Sequence, residues 1–175
     1  MNRGPGSLTI SAIQGLFKAE PGRVTVELVD EGMCFICGKA NPIGLRVDFE
    51  VDRERLRIKG RFTPRREHEG YRGIMHGGLV AALLDEAMVK LLWEAGIPAV
   101  SAALDIRLAR PARVGEPISI SGWVESLKGR LILAAARVED AQGNLVAEAK
   151  SRCLRVSGAE LTGGQGERGK EGNSG

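Results

Sequence analysis

The sequence predicts an α+β domain in which a curved antiparallel β-sheet wraps around one long central α-helix. Three observations predict it. Two strand-like segments precede a single long helical segment, and four more follow it. The later strands are joined mostly by tight turns, at Lys128-Gly129 and Gln142-Gly143-Asn144, which makes neighbours antiparallel. The helical segment is apolar nearly all round, as a helix covered on most of its sides is.

Taken in order, residues 1–23 form an N-terminal segment in which Leu8, Ile10, Ile13, Leu16 and Phe17 fit one face of a short helix. The folded domain spans residues 24–157. Alternation suggests a strand over 24–29, and residues 34–45 read as a Gly-rich loop with an Asn41-Pro42 turn. Strands follow at 45–51 and 56–62, separated by the charged bend Asp52-Arg53-Glu54-Arg55. Residues 63–75 lead into the helix, which starts at the Gly77-Gly78 pair and stops near Glu94, before Gly96 and Pro98. Four strands close the domain at 100–108, 117–127, 130–139 and 145–156. Leu104, Ile106 and Leu108 alternate there with Asp105 and Arg107. Residues 158–175 are rich in Gly and charge and are expected to be a disordered tail. Within it, Gly164 to Lys170 mimics a phosphate-binding glycine pattern. No strand leads in, and Glu171 stands where Ser or Thr is needed.

Composition narrows the function. Hydrophobic residues make up 43% and charged residues 27%, a globular balance. A net charge of +3 and only seven aromatics, with no basic stripe, give no case for nucleic-acid binding. No apolar run reaches the roughly 18 residues of a membrane helix, and no apolar signal core follows Met1. Three cysteines, an odd number, fit a reducing cytoplasm.

The chemistry concentrates at residues 76–88. Glycine costs about 1 kcal/mol inside a helix, so the Gly77-Gly78 pair belongs at the terminus. There it leaves backbone N–H groups approachable and favours negative charge. Two acidic residues follow. Glu86 has Lys90 four residues on and reads as a solvated ion pair. Asp85 has Ala81, Ala82, Met88 and Val89 at its helical neighbours, and none of them pairs with a carboxylate. Such an acid is a candidate catalytic base or nucleophile.

Geometry then dictates assembly. Gly77 and Asp85 are eight residues apart, about 12 Å along a helix. An amide donor and a base acting on one carbonyl must each come within roughly 3 Å of the reacting atoms. One helix cannot present both, whereas two antiparallel copies can, so the expected active unit is at least a homodimer.

These features resemble the hotdog-fold acyl-CoA thioesterases of the phenylacetate-pathway and 4-hydroxybenzoyl-CoA thioesterase type. The resemblance runs over about residues 45–156. It rests on His76-Gly77-Gly78 with Asp85, on Ser101-Ala102-Ala103-Leu104-Asp105-Ile106-Arg107, on Arg110-Pro111, on Gly115-Glu116-Pro117, and on Cys153-Leu154-Arg155-Val156. It implies that the Gly77 N–H polarises a thioester carbonyl. It also implies that Asp85 of a second subunit activates water or attacks the carbonyl, with Ser101, sixteen residues on, positioning water. His76 would shape the turn, and Gly78 would lie against the substrate. Some relatives carry Asn or Gln shortly before the His-Gly-Gly motif; Gly70 stands there in this chain, leaving His68 or bare backbone to take that role. Arg107, Arg110 and Arg113 are the candidates for coenzyme A phosphates. Coenzyme A is part of the substrate, no cofactor is implied, and the assembly would be a dimer or a dimer of dimers.

Other chemistries fit less well. Cys34-Phe35-Ile36-Cys37-Gly38 has the spacing of half a zinc knuckle. Only Cys153, His68 and His76 remain as further ligands, none in a second tight pair, so no metal site is expected. The resemblance instead implies an ordered lid for this loop. No Gly-x-Ser-x-Gly elbow exists for a serine hydrolase. The alternative function is a non-catalytic acyl-CoA-binding module or sensor, since one fold hosts both.

Overall fold

The computed structural model describes residues 28–156 and the backbone strand at 161–163. The expected helix within residues 1–23 lies outside the described residues, as does most of the expected tail. The elements are β1 (Leu28–Asp30), β2 (Asp48–Asp52), β3 (Arg57–Phe62), β4 (Glu69–Tyr71), β5 (Ile74–Met75), α1 (Gly77–Glu94), β6 (Ala99–Leu108), β7 (Ile118–Lys128), β8 (Leu131–Glu139), β9 (Leu145–Arg155) and β10 (Leu161–Gly163). A six-stranded antiparallel sheet in the order β2-β3-β7-β8-β9-β6 carries α1 on one face. Within the stretch read as tail, β10 pairs in parallel with β1.

The core is the seam between helix and sheet. Val80, Leu83, Leu84, Ala87, Met88, Leu91 and Leu92 of α1 are buried. All but Leu92 meet Ile58, Ile118, Ile120, Ala134, Ala136, Val138, Ala147 and Ala149 in one cluster, and Leu92 packs with Ala99, Ile132 and Cys153 in a second. Close approach is built into the sheet. A Cβ on Gly122 would lie 2.9 Å from Ile58 and 3.4 Å from the Ala87 carbonyl, so a bare strand position lets α1 settle. The helix ends where Gly96 takes φ of 71° and the Ile97 N–H returns to the Leu92 carbonyl at 2.9 Å. The opposite face of α1, with Ala81, Ala82, Asp85 and Val89, is only half-buried in one protomer. The all-round cover suggested by its apolar sequence is therefore not supplied by the described residues of a single chain. Strand β6 is an open sheet edge, ten residues long, with Leu104 38% and Leu108 55% exposed. No helix among the described residues is long and apolar enough to cross a membrane.

Candidate active site

The start of α1 is capped so that one amide is left over. His76 is the N-cap, and its Nδ1 accepts the Gly78 N–H at 2.9 Å. The His76 carbonyl accepts the N–H groups of Leu79 at 2.9 Å and Val80 at 3.2 Å. Of the four orphan donors of a helix start, only the Gly77 N–H has no partner among the described residues. It opens into a cavity of about 610 Å³ lined by Gly70, Tyr71, His76, Gly77, Val80, Leu108 and Arg110, among others. The imidazole thus serves as the acceptor at Nδ1 that caps the helix. Gly78 differs from expectation: its N–H is committed to His76, and it does not line this cavity.

Gly70 and His68 hold this end from behind. A Cβ on Gly70 would lie 3.0 Å from His76 Cα and 3.1 Å from its Cδ2, so the residue is glycine because the imidazole packs against it. His68 does not contact substrate space. It is 7% exposed, lines neither large cavity, and stacks 5.2 Å from Phe62. Its Nδ1 accepts the Arg65 N–H at 2.9 Å, and its carbonyl accepts the His76 N–H at 2.8 Å. Burial, with the charge of Arg65 beside it, holds its pKa below the usual histidine range.

Asp85 lies two turns further along α1, half-buried, in a second cavity of about 740 Å³. Ser101 Oγ donates to Asp85 Oδ1 at 2.6 Å, a short charge-assisted bond. Ser101 sits beside the bulge of β6 between Ser101 and Ala103; such bulges re-aim side chains next to sites. Behind it, Cys153 is buried and its thiol is pushed up by burial, while Ser151 and Ser101 draw it down.

The loop at 34–45 forms the wall of this second cavity, where Cys34, Cys37, Glu86 and Lys90 join Asp85 and Ser101. Glu86 is not the solvated partner of Lys90. Cys34 Sγ donates to Glu86 Oε2 at 3.3 Å, and Lys90 pairs with Glu94 at 3.2 Å and Asp30 at 3.6 Å. Burial, followed by hydrogen bonding to Glu86, drives the Cys37 thiol far above its ordinary range. Burial alone would lower Lys90, but Cys37, Glu94 and Asp30 together raise it. Sequence reasoning missed Glu86 because its partners are 52 and 49 positions away, and local spacing offered Lys90 instead.

The three arginines separate. Arg110 lines the Gly77 cavity and an adjoining cleft of about 150 Å³; Arg113 lines only that cleft, with Glu116 and Asp140. Arg107 is tied to Glu148 at 2.8 Å along the sheet and reaches neither large cavity. The chain therefore holds an unpartnered amide in one cavity and a Ser101-held carboxylate in another.

Residues 72–147, which contain Gly77 and Asp85, match the model of the Thioesterase superfamily. Acyl-coenzyme A thioesterase 13 of Homo sapiens is 38% identical over 48% of this chain and 62% of its own length. The chain thus spans somewhat under two thirds of that relative. Among solved structures, the PaaI protein of the E. coli phenylacetic acid degradation operon superposes with a TM-score of 0.62. It is 21% identical and covers 67% of this chain and 84% of its own. A hypothetical thioesterase of Streptococcus pneumoniae, solved with coenzyme A, gives a TM-score of 0.59 at 15% identity, covering 65% and 89%. One long helix cupped by a large antiparallel sheet, with the matched segment at its centre, is the hotdog fold that this domain shares with those solved structures.

Proposed function

We propose that this protein is an acyl-coenzyme A thioesterase that works as a homodimer, each site taking Gly77 from one subunit and Asp85 from the other. The observation that carries the reading is the separation of the half-sites. The free Gly77 N–H and the Ser101-held Asp85 lie in different cavities, about 12 Å apart on one helix. The open edge of β6 supplies the means of joining them, because a long unpaired edge strand is a template for pairing. Pairing β6 with its own two-fold copy extends the sheet and lays two α1 helices side by side and antiparallel. The half-buried face of α1 then meets its copy, and each Gly77 approaches the other subunit's Asp85.

At such a site the Gly77 N–H and the helix dipole stabilise the oxyanion as the thioester carbonyl is attacked. The attacking oxygen belongs either to a water that gives its proton to Asp85, or to Asp85 itself. In the second route a mixed anhydride forms, and water then opens it. In both, the C–S bond breaks and the coenzyme leaves as the thiol. Ser101 fixes Asp85 Oδ1 and leaves Oδ2 for the reaction. Arg110, at the Gly77 cavity, is the cation best placed for a coenzyme A phosphate. The coenzyme is substrate, and the mechanism uses no cofactor. The similarity to acyl-coenzyme A thioesterase 13 supports the same substrate class.

The test is thiol release from short-chain, long-chain and aryl acyl-CoAs by wild type, Asp85→Asn, Gly77→Pro, and a one-to-one mixture of the variants after subunit exchange. Each variant alone should be inactive. The mixture should regain about a quarter of wild-type activity, because half the dimers are mixed and each of these holds one intact site. Mixed dimers that regain nothing would place the whole site within one chain. Binding of acyl-CoAs without turnover by wild type would make the domain a sensor.

A further inference from the structure

The cysteine-bearing loop holds a group of side chains that thioester hydrolysis does not use. Cys34 Sγ, Cys37 Sγ and a Glu86 carboxylate oxygen all lie within 4.8 Å of one another. In a tetrahedral zinc site, bonds of about 2.0–2.3 Å place ligand atoms some 3.5 Å apart, so sub-ångström to one-ångström movements close this triangle. All three residues are half-buried.

The loop itself has the build of a metal knuckle. Gly38 N–H closes the turn on the Cys34 carbonyl at 2.8 Å, and Ile36 N–H points at Cys34 Sγ at 3.4 Å. A backbone donor to sulfur stabilises a thiolate. Gly38 admits no side chain: a Cβ there would lie 2.4 Å from the Gly32 carbonyl and 2.5 Å from the Cys34 backbone. Asn41, 8% exposed, braces the same turn, donating to the Met33 carbonyl at 3.1 Å and accepting the Ile43 N–H at 3.0 Å. The two sulfurs are thereby held on one side of a rigid loop, facing α1.

We propose that Cys34, Cys37 and Glu86 form a binding site for zinc or a similar borderline-soft divalent cation, with water from the adjoining cavity as the fourth ligand. The ligand types decide the class, since two thiolates exclude magnesium and calcium while the carboxylate suits zinc. Binding releases one proton from each thiol to solvent and leaves the carboxylate ionised. Two thiolates, a carboxylate and the cation sum to one negative charge. Lys90, which shares a small cleft with Cys37, offsets it. The expectation of no metal failed to count Glu86, because the third ligand arrives from the helix, 49 residues after the pair. The cation would pin the loop to α1 one residue from Asp85, making the wall of the acid cavity rigid. The inference does not depend on the thioesterase reading.

Titration of reduced, chelator-stripped full-length protein with Co²⁺ tests it. One equivalent per chain should produce thiolate-to-cobalt charge-transfer absorption, and Zn²⁺ should abolish that band by displacement. Cys34→Ser and Cys37→Ser should each lose the band, and Glu86→Gln should weaken binding by about tenfold or more. Cys153→Ser should retain the site. Circular dichroism of each variant separates a lost ligand from a lost fold, and the wild-type titration stands without any variant. A wild-type titration with no charge-transfer band overturns the proposal, as does a band that survives in folded Cys34→Ser and Cys37→Ser. A Cys34–Cys37 disulfide that forms in place of metal binding also overturns it and identifies a redox pair.

Discussion

The two ends of the working stretch of α1 are made by different means. The Gly77 end is a backbone device. Its proposed donor is a peptide N–H, freed because His76 takes the Gly78 amide and the His76 carbonyl takes the next two. All of it lies within five consecutive residues. The Asp85 end is a side-chain device assembled across the fold, from Ser101 sixteen residues on and a loop about fifty residues back. An amide held by helix geometry has one position. A carboxylate has two oxygens and two torsions, and needs partners to fix it.

That contrast orders the effects of damage. On the proposed mechanism Asp85→Asn removes the group that delivers oxygen to the carbonyl and should lower kcat by about a thousandfold or more, with little change in thermal stability. Gly77→Pro is the matching deletion at the other end, since proline lacks the N–H and is favoured at the first helical position. His76, at φ −60° and ψ 128°, already has the extended backbone that a following proline requires. The only close neighbour of an added Cβ is the flexible tip of Leu108, at 3.0 Å. This change should cost about a hundredfold to a thousandfold in kcat while the helix remains folded by circular dichroism. Equal binding of a non-hydrolysable acyl-CoA analogue by both variants, with unequal loss of kcat, would confirm that the two ends act on the transition state separately.

Ser101→Ala sharpens the comparison, because it harms the acid end alone. It deletes a hydrogen bond to a charged group, worth about 1.5–3 kcal/mol, so kcat should fall about tenfold to a hundredfold with KM little moved. Restoration by Ser101→Thr would assign the effect to the hydroxyl. If Ser101→Ala keeps full activity, Asp85 is held by other groups in the proposed dimer.

Legibility in the sequence follows the same divide. The long helix, the turn-linked strands and the capped Gly77 were readable because each is decided by residues within one or two turns of chain. Asp85 was readable by elimination, since its helical neighbours cannot pair with it. Ser101 came through the family resemblance, and the structure sets its hydroxyl on Asp85. The failures are long-range. Glu86 has a plausible local partner in Lys90, yet its contacts come from the loop at Cys34 and Cys37. Arg107 reads as a candidate for coenzyme A phosphates, yet register places it against Glu148. His68 reads as a polar residue near the substrate, yet the short 3₁₀ turn at Arg66–His68 rolls it inward.

The smallest expected effect tests that inward histidine, which acts on the amide end from behind. Burial, and then the charge of Arg65, depress the His68 pKa below its ordinary value of 6.5, so the folded chain takes up this proton less readily than the unfolded one. Above that pH the imidazole is neutral in folded and unfolded chains alike, so it contributes no pH dependence. Below it the unfolded chain takes up a proton that the folded chain refuses, and stability declines with falling pH until the folded value is reached. Protonation would also end the acceptance of the Arg65 N–H by Nδ1. Tm should therefore drop in wild type as pH falls below about 6.5. The drop should be shallower in His68→Asn, whose amide oxygen can take over the Arg65 bond without titrating. Identical slopes in the two proteins would show that other groups carry the acid sensitivity, and that the support of His76 by the His68 carbonyl is indifferent to charge.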